Sequence, residues 1–205
     1  MQFRLTQLTQ WVLALFVAVF LVQQTADQYF GMHLGAWLSF DLGGHWGVLS
    51  HVLLHRDPVG LLFNLIFIAF LVPEFETLWG WRRLSVFVTA CILGSVILMV
   101  CAGHFGFAEP LVGPAAIRFG LFGMYGFLFP ERIMLLMMVV PVPAKYCVLC
   151  FFCLELLIAL YTPGSHSASL CQLFGALLGA IVFIVGTRKR KKAPHLKLVK
   201  TRVWH

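Results

Sequence analysis

The chain has 205 residues, of which 60% are hydrophobic and only 11% are charged, and its mean hydropathy is +0.91. Soluble globular domains contain about 25% charged residues, so this composition excludes a soluble fold, and its richness in aromatic residues excludes a disordered chain. The formal net charge of +7 arises from 15 Lys and Arg against 8 Asp and Glu.

Six apolar stretches approach the length of a membrane-spanning helix, which needs about 20 residues. In chain order they are Leu8–Thr25, Val59–Leu78, Leu84–Cys101, Leu111–Pro130, Tyr146–Tyr161 and Ser169–Thr187. The apolar run Ile133–Val142 is too short to span, and we expect it to form an interfacial connector. A cleaved signal peptide is the alternative for the first stretch, but no small-x-small cleavage site follows before Gln28, which favours a retained span.

The Lys and Arg residues are concentrated in alternate loops. They lie between the second and third spans, between the fourth and fifth, and after the sixth: Arg82, Arg83, Arg132, Lys145, Arg188, Lys189, Arg190, Lys191, Lys192, Lys197, Lys200 and Arg202. Cytoplasmic loops carry such an excess, so both termini are predicted to be cytoplasmic. We expect a six-span membrane domain over 1–187 and a basic tail over 188–205, which acts as a topological signal or attracts anionic lipid headgroups.

Three stretches, which lie at or in the second, fourth and sixth spans, are informative when they are compared together. They are Trp46–Asn64, Val112–Gly123 and Cys171–Gly179, with shorter supporting matches at Pro73–Gly80, Arg82-Arg83, Phe129–Arg132 and Pro141–Tyr146. Their order and spacing resemble the rhomboid family of intramembrane serine proteases, from about Trp46 to Gly179. The resemblance implies an all-α, six-helix rhomboid-like bundle.

In the rhomboid family a serine of the fourth span is the nucleophile, a histidine of the sixth span is its base, and a His and an Asn of the second span stabilise the oxyanion. The resemblance places Ala115 at the nucleophile position, Gln172 at the base position and Gly60 at the oxyanion His, while Asn64 is retained. Alanine cannot attack a carbonyl, and a glutamine amide accepts no proton near neutral pH. We therefore expect a pseudoprotease with no catalytic residues and no cofactor.

Four residues are candidates for lining the former substrate cavity: Trp46, Arg118, Phe119 and Phe174. Phe174 stands where the family has glycine, and Ala116 replaces another glycine, so both should change the width of the catalytic gap. An arginine at mid-bilayer costs roughly 2.5–3.5 kcal/mol and finds a partner. Glu155 is our first choice of partner for Arg118, and Glu76 is the alternative. Arg118 is then either an anchor in the cavity or one side of a structural ion pair.

Small residues in the fourth and sixth spans recur at helical spacing. Gly120, Gly123 and Gly126 lie in the fourth span, and Gly175 and Gly179 form a Gly-x-x-x-Gly motif in the sixth. Such residues let helix backbones approach closely. The sequence therefore predicts close packing of these two spans.

The remaining polar residues have simpler explanations. Cys147, Cys150 and Cys153 form a helical stripe that is typical of packing, and the serines at 165, 167 and 169 beside His166 are typical of a loop. Six histidines are predicted to lie outside the cytoplasm, where a metal site is an alternative: His33, His45, His51, His55, His104 and His166.

The expected function is binding of transmembrane segments of other proteins in a bacterial inner membrane. We infer this from the fold: the cavity that holds a substrate helix in an active relative would here hold a client helix, which would stay uncleaved. The expected partners are the lipid bilayer and transmembrane clients. The basic tail is short and tied to the membrane, so nucleic acid is not an expected partner. An active protease with replaced residues and a metal or small-solute membrane protein are the alternatives.

Overall fold

The computed structural model describes residues 5–41, 47–104, 106, 110–136, 139–161 and 166–191. Over these residues the chain forms seven α-helices, one 3₁₀ turn and one two-stranded hairpin. In order they are α1 (Gln7–Phe30), α2 (Leu34–Leu38), α3 (Gly47–Ser50), the 3₁₀ turn His51–Leu53, α4 (Pro58–Gly103), α5 (Ala115–Leu128), β1 (Ile133–Leu136), β2 (Val140–Pro143), α6 (Ala144–Tyr161) and α7 (His166–Lys191).

Helix α4 contains both the second and third predicted spans. Its 46 residues would extend about 69 Å as a straight helix, which is more than twice the hydrocarbon thickness of about 30 Å. Gly80 interrupts it with φ +74°, a backbone conformation that only glycine adopts without strain. The rings of Trp79 and Phe87 meet at 5.7 Å across this break, although eight residues of straight helix would separate them by about 12 Å. The chain therefore bends sharply between the two spans.

Two helices of the described chain, α1 and α4, are long and apolar enough to cross a membrane by length and composition. Helix α5 and the segment Ser169–Gly179 of α7 are shorter apolar helices. Large apolar side chains also cover the outside of the bundle, including Trp11, Val86 and Leu160, each more than 65% exposed. Such a surface suits lipid and would drive aggregation in water, in agreement with a membrane protein.

Helices α5 and α7 form the closest helix pair of the bundle, as the small-residue pattern predicts. Gly175 lies against the backbone carbonyl of Ala116, and Gly179 lies against that of Gly120. A side chain at either glycine would overlap the α5 backbone. The nucleophile and base positions of the rhomboid pattern are thus carried by two helices in direct backbone contact.

The segment between α1 and α4 packs over the start of α5. Phe40 and Leu111 exchange two backbone hydrogen bonds, with N–O distances of 3.3 and 2.8 Å. The Gly113 N–H donates to the His51 carbonyl at 2.7 Å, and Gly113 has φ +93°. This pairing holds the turn that leads into α5 and so determines where α5 begins.

The predicted connector Ile133–Val142 forms the antiparallel hairpin β1–β2, which is a small departure from an all-α fold. Two ion pairs surround it. Arg132 Nη1 bonds Glu74 Oε1 at 2.9 Å, and Lys145 Nζ bonds Glu131 Oε1 at 2.5 Å. The hairpin is therefore anchored to α4 and to the first turn of α6.

Each predicted span after the first has a helical counterpart in α4 to α7, with different ends. The predicted span Leu111–Pro130 begins early, because Leu111 pairs with Phe40 and α5 starts only at Ala115. Helix α7 continues to Lys191 and so includes the first residues of the predicted tail. The rest of the tail, 192–205, and Trp46 lie outside the described residues.

Candidate functional site

The nucleophile position of the rhomboid pattern lies at the first residue of α5. Ala115 lines a small cavity together with His51, Ser95 and Cys171. The cavity has a volume of about 20 Å³, enough for about one water molecule. Arg118 does not line this cavity. The space beside Ala115 is therefore separate from the polar centre of the site.

Arg118 forms that polar centre by joining three helices. Its Nη1 donates to Asn64 Oδ1 of α4 at 2.7 Å, and its Nη2 donates to Gln172 Oε1 of α7 at 3.1 Å. Asn64 and Gln172 are both 7% exposed. Hydrogen bonds from a charged donor are about twice as strong as neutral ones, so the guanidinium holds the two amide oxygens firmly. We call these three residues the arginine bridge.

The expected direct pairing of Arg118 with Glu155 is wrong. Glu155 instead accepts a hydrogen bond from Ser169 Oγ at 2.6 Å, and both residues are buried. The alternative partner, Glu76, does not bond Arg118 either, and its buried Oε2 has no hydrogen-bond partner within the described part of the chain. The physical reason is that the helix packing brings the side-chain oxygens of Asn64 and Gln172 within hydrogen-bond distance of the guanidinium.

Aromatic rings surround the charged end of Arg118. Its Cζ lies 5.7 Å from the ring centre of Phe67 and 5.3 Å from that of Phe119, within cation–π range. These rings in turn meet α6 edge-on, Phe67 against Phe151 at 5.9 Å and Phe119 against Phe152 at 6.2 Å. The predicted cavity residues Arg118 and Phe119 are therefore in contact, and α6 packs against the rings that flank the half-buried guanidinium.

Phe174 and Gly60 make contacts with residues other than those of the arginine bridge. The ring of Phe174 occupies the space beside Gly94 where a side chain at that position would lie, so it packs against the second half of α4. Gly60 lies in the first turn of α4, where its N–H donates to Asp57 Oδ1 at 2.7 Å. Phe174 thus fills a gap between helices rather than the centre of the site.

Two of the outer histidines have packing roles. His51 Nδ1 lies 2.7 Å from the Gly47 carbonyl, and the His55 ring packs edge-on against Phe16 of α1 at 5.4 Å. Burial lowers the pKa of both imidazoles below the ordinary 6.5. The unfolded chain therefore binds more protons just below pH 6.5, and the fold loses stability as the pH falls from about 6.5 toward the lowered pKa of the folded state.

The structure describes no group of three or more His, Cys, Asp or Glu residues that could hold a metal ion, over the ranges given above. Two of the six predicted outer histidines, His45 and the side chain of His166, lie outside the described residues. The metal alternative therefore has no described ligand set.

Sequence reasoning placed Asn64, Arg118 and Gln172 individually but missed that they form one bridge. The signal was available in the residue types. A glutamine at the position where the family has histidine supplies an acceptor oxygen, which an arginine without a counterion can bond. The sequence separations of 54 residues on either side of Arg118 carry no local pattern, so spacing alone could not join them.

We expect Arg118→Leu to lower the free energy of unfolding by about 2 kcal/mol, because it leaves two buried amide oxygens without a donor. The substitutions Asn64→Leu and Arg118→Leu should be strongly non-additive in thermal unfolding in detergent, since both remove the same hydrogen bond. Glu155→Gln should couple to Arg118→Leu more weakly. Equal coupling for the two pairs would contradict the arginine bridge.

The chain was compared with models of known protein families. The family model described as the rhomboid domain matches residues 42–189, well over half of the sequence. This range contains Ala115, the arginine bridge, the whole of α5, and α7 up to residue 189. No curated relative matches the chain.

Proposed function

Since the chain belongs to the rhomboid family, a family of intramembrane proteases, we propose that it is a non-catalytic member that binds transmembrane segments of other membrane proteins. The bundle would accept a client helix in the region that receives a substrate in an active relative. Binding would then end in release of the intact client.

The arginine bridge is the observation that carries this proposal. Proteolysis needs a nucleophile with an adjacent base, and the matching positions hold Ala115 and Gln172. The Gln172 oxygen and the Asn64 oxygen both accept hydrogen bonds from Arg118. A guanidinium stays protonated at all ordinary pH values, so it cannot replace the missing base. The polar groups of the site are engaged with one another.

A protease with replaced residues is the second candidate, and one contact favours it. Ser169 Oγ donates to the Glu155 carboxylate at 2.6 Å, so a hydroxyl lies beside a group that can accept its proton. Ser169 is fully buried, and a carboxylate is a weak base compared with imidazole. Both facts favour a structural hydrogen bond between α6 and α7.

Photocrosslinking tests the proposed function directly. A photoreactive residue at Ala115 should capture intact transmembrane proteins in the native membrane, and their masses should equal those of the uncleaved clients. The same residue placed at the lipid-facing Val86 is the matched control and should capture lipid. Capture of cleaved fragments at Ala115 would contradict the proposal and favour the protease.

For the orientation we propose six spans with both termini in the cytoplasm of a bacterial cell. The Lys and Arg clusters support this. We expect an alkaline phosphatase fusion after His205 to be inactive and a fluorescent-protein fusion at the same place to be bright. An active phosphatase at His205 would contradict the six-span arrangement.

A further inference from the structure

The guanidinium of Arg118 uses only part of its hydrogen-bonding capacity. It carries five N–H donors, and its hydrogen bonds within the described chain are those to Asn64 and Gln172. Its Nε is buried and has no acceptor among the residues that the structure describes. An arginine edge formed by Nε and one Nη matches the two oxygens of a carboxylate. Arg118 therefore retains the donors that a bidentate carboxylate would use.

The charge of Arg118 is also without a bonded counterion in the described chain. Both of its acceptors are neutral amides. The buried carboxylate of Glu155 is hydrogen-bonded to Ser169. Within a membrane a positive charge favours an anionic partner strongly, because the low dielectric screens the attraction poorly.

The approach to Arg118 is apolar. Phe67 and Phe119 lie over the guanidinium, and their contacts to α6 are ring edges of Phe151 and Phe152. An apolar helix suits this surrounding, whereas a soluble anion does not. The ligand that fits both the rings and the charge is an apolar helix that carries one acidic side chain.

We propose that Arg118 selects client transmembrane segments that carry an Asp or Glu at the same depth in the membrane as Arg118. This rests on the proposed function and adds the chemical class of the client. An acidic residue in an apolar helix is costly in lipid, and an ion pair with Arg118 offsets that cost. Arg118 is the fourth residue of α5, about 5 Å along the axis from the helix start. The acidic residue must therefore lie off-centre in the client, near the end of the bundle where α5 begins.

Synthetic helices in phosphatidylcholine vesicles provide the test. Each probe is a labelled Leu/Ala helix of roughly 20 residues with one Asp, and the Asp is moved along the helix one position at a time. Probes with Asn or Leu at the same positions are the matched controls. Energy transfer to the labelled full-length protein measures association.

At one off-centre register we expect the Asp probe to bind about tenfold more tightly than the Leu probe, with the Asn probe between them. The preference should disappear in Arg118→Gln and persist in Lys145→Gln, which removes a positive charge at the far end of the bundle. If Arg118→Gln fails to fold, the Asp, Asn and Leu probes on the unmodified protein still test whether the protein prefers an acidic client helix.

The outcomes separate this inference from the proposed function. Equal binding of the Asp and Leu probes overturns the acidic preference but leaves client binding intact. If no probe binds but intact clients are captured at Ala115, the acidic preference is overturned and client binding stands. If no probe binds and no client is captured, the acidic preference and the proposed function are both overturned. An Asp preference that survives Arg118→Gln assigns it to another residue and overturns the role of Arg118.

Discussion

We expect the unmodified protein to cleave no transmembrane substrate and to take no label from a fluorophosphonate probe. Catalytic groups act as a unit, and the loss of the nucleophile or the base alone costs on the order of 10⁶ in rate in one serine protease. Ala115→Ser or Gln172→His alone should therefore leave activity at background. The two together should also fail, because Arg118 would donate toward the new imidazole and suppress its basicity.

The structure indicates which further changes a reactivated protein needs. Arg118→Leu frees the site from the arginine bridge, and Gly60→His adds an oxyanion donor that is worth roughly 2.7–4 kcal/mol in other enzymes. Ala116→Gly restores the small residue after the nucleophile. Phe174 should stay, because its ring packs against Gly94 and its removal would leave a cavity between helices.

Weak cleavage of a fluorogenic transmembrane substrate by this five-fold variant is the expected result. The matched control is the same variant without Ala115→Ser, which should remain at background. Stoichiometric fluorophosphonate labelling of the unmodified protein would contradict the pseudoprotease interpretation. Loss of that label in Ser169→Ala would then identify the replacement nucleophile.

The second large effect concerns the contact between α5 and α7. We expect Gly175→Val to lower the free energy of unfolding by about 3 kcal/mol or to prevent folding, because overpacking of a tight contact forces backbone shifts. A Cβ at Gly175 would overlap the Ala116 carbonyl of α5. That neighbour is backbone, which cannot move aside as a flexible side chain can.

Gly123→Ala is the matched control for this prediction. It lies on α5 in the same interface, but a Cβ there would meet Ala176 Cα at 3.6 Å, an ordinary van der Waals contact. Thermal unfolding in detergent should place Gly123→Ala within about 1 kcal/mol of the unmodified protein. Similar losses for the two variants would contradict the close α5–α7 contact.

The membrane character of the chain and most of its helices were determined by the sequence alone. An apolar run long enough to cross the bilayer has to be helical, because lipid offers no partner for backbone polar groups. The predicted spans Val59–Leu78 and Leu84–Cys101 accordingly fall in the two halves of α4. The close packing of the fourth and sixth predicted spans could also be predicted from the sequence, because Gly175 and Gly179 have the four-residue spacing that lets helix backbones approach.

Only the tertiary structure decided which polar groups meet. Glu155 and Gln172 were both within the sequence-based expectations for the site, yet charge alone favoured the acid as the partner of Arg118. The helix packing instead brings the Gln172 and Asn64 oxygens to the guanidinium and turns Glu155 toward Ser169. The tertiary structure also decided where the ring of Phe174 packs, which is beside Gly94 of α4. Contacts between residues far apart in the chain depend on the rotation and depth of each helix, and these are determined by packing among all the spans rather than by any local pattern.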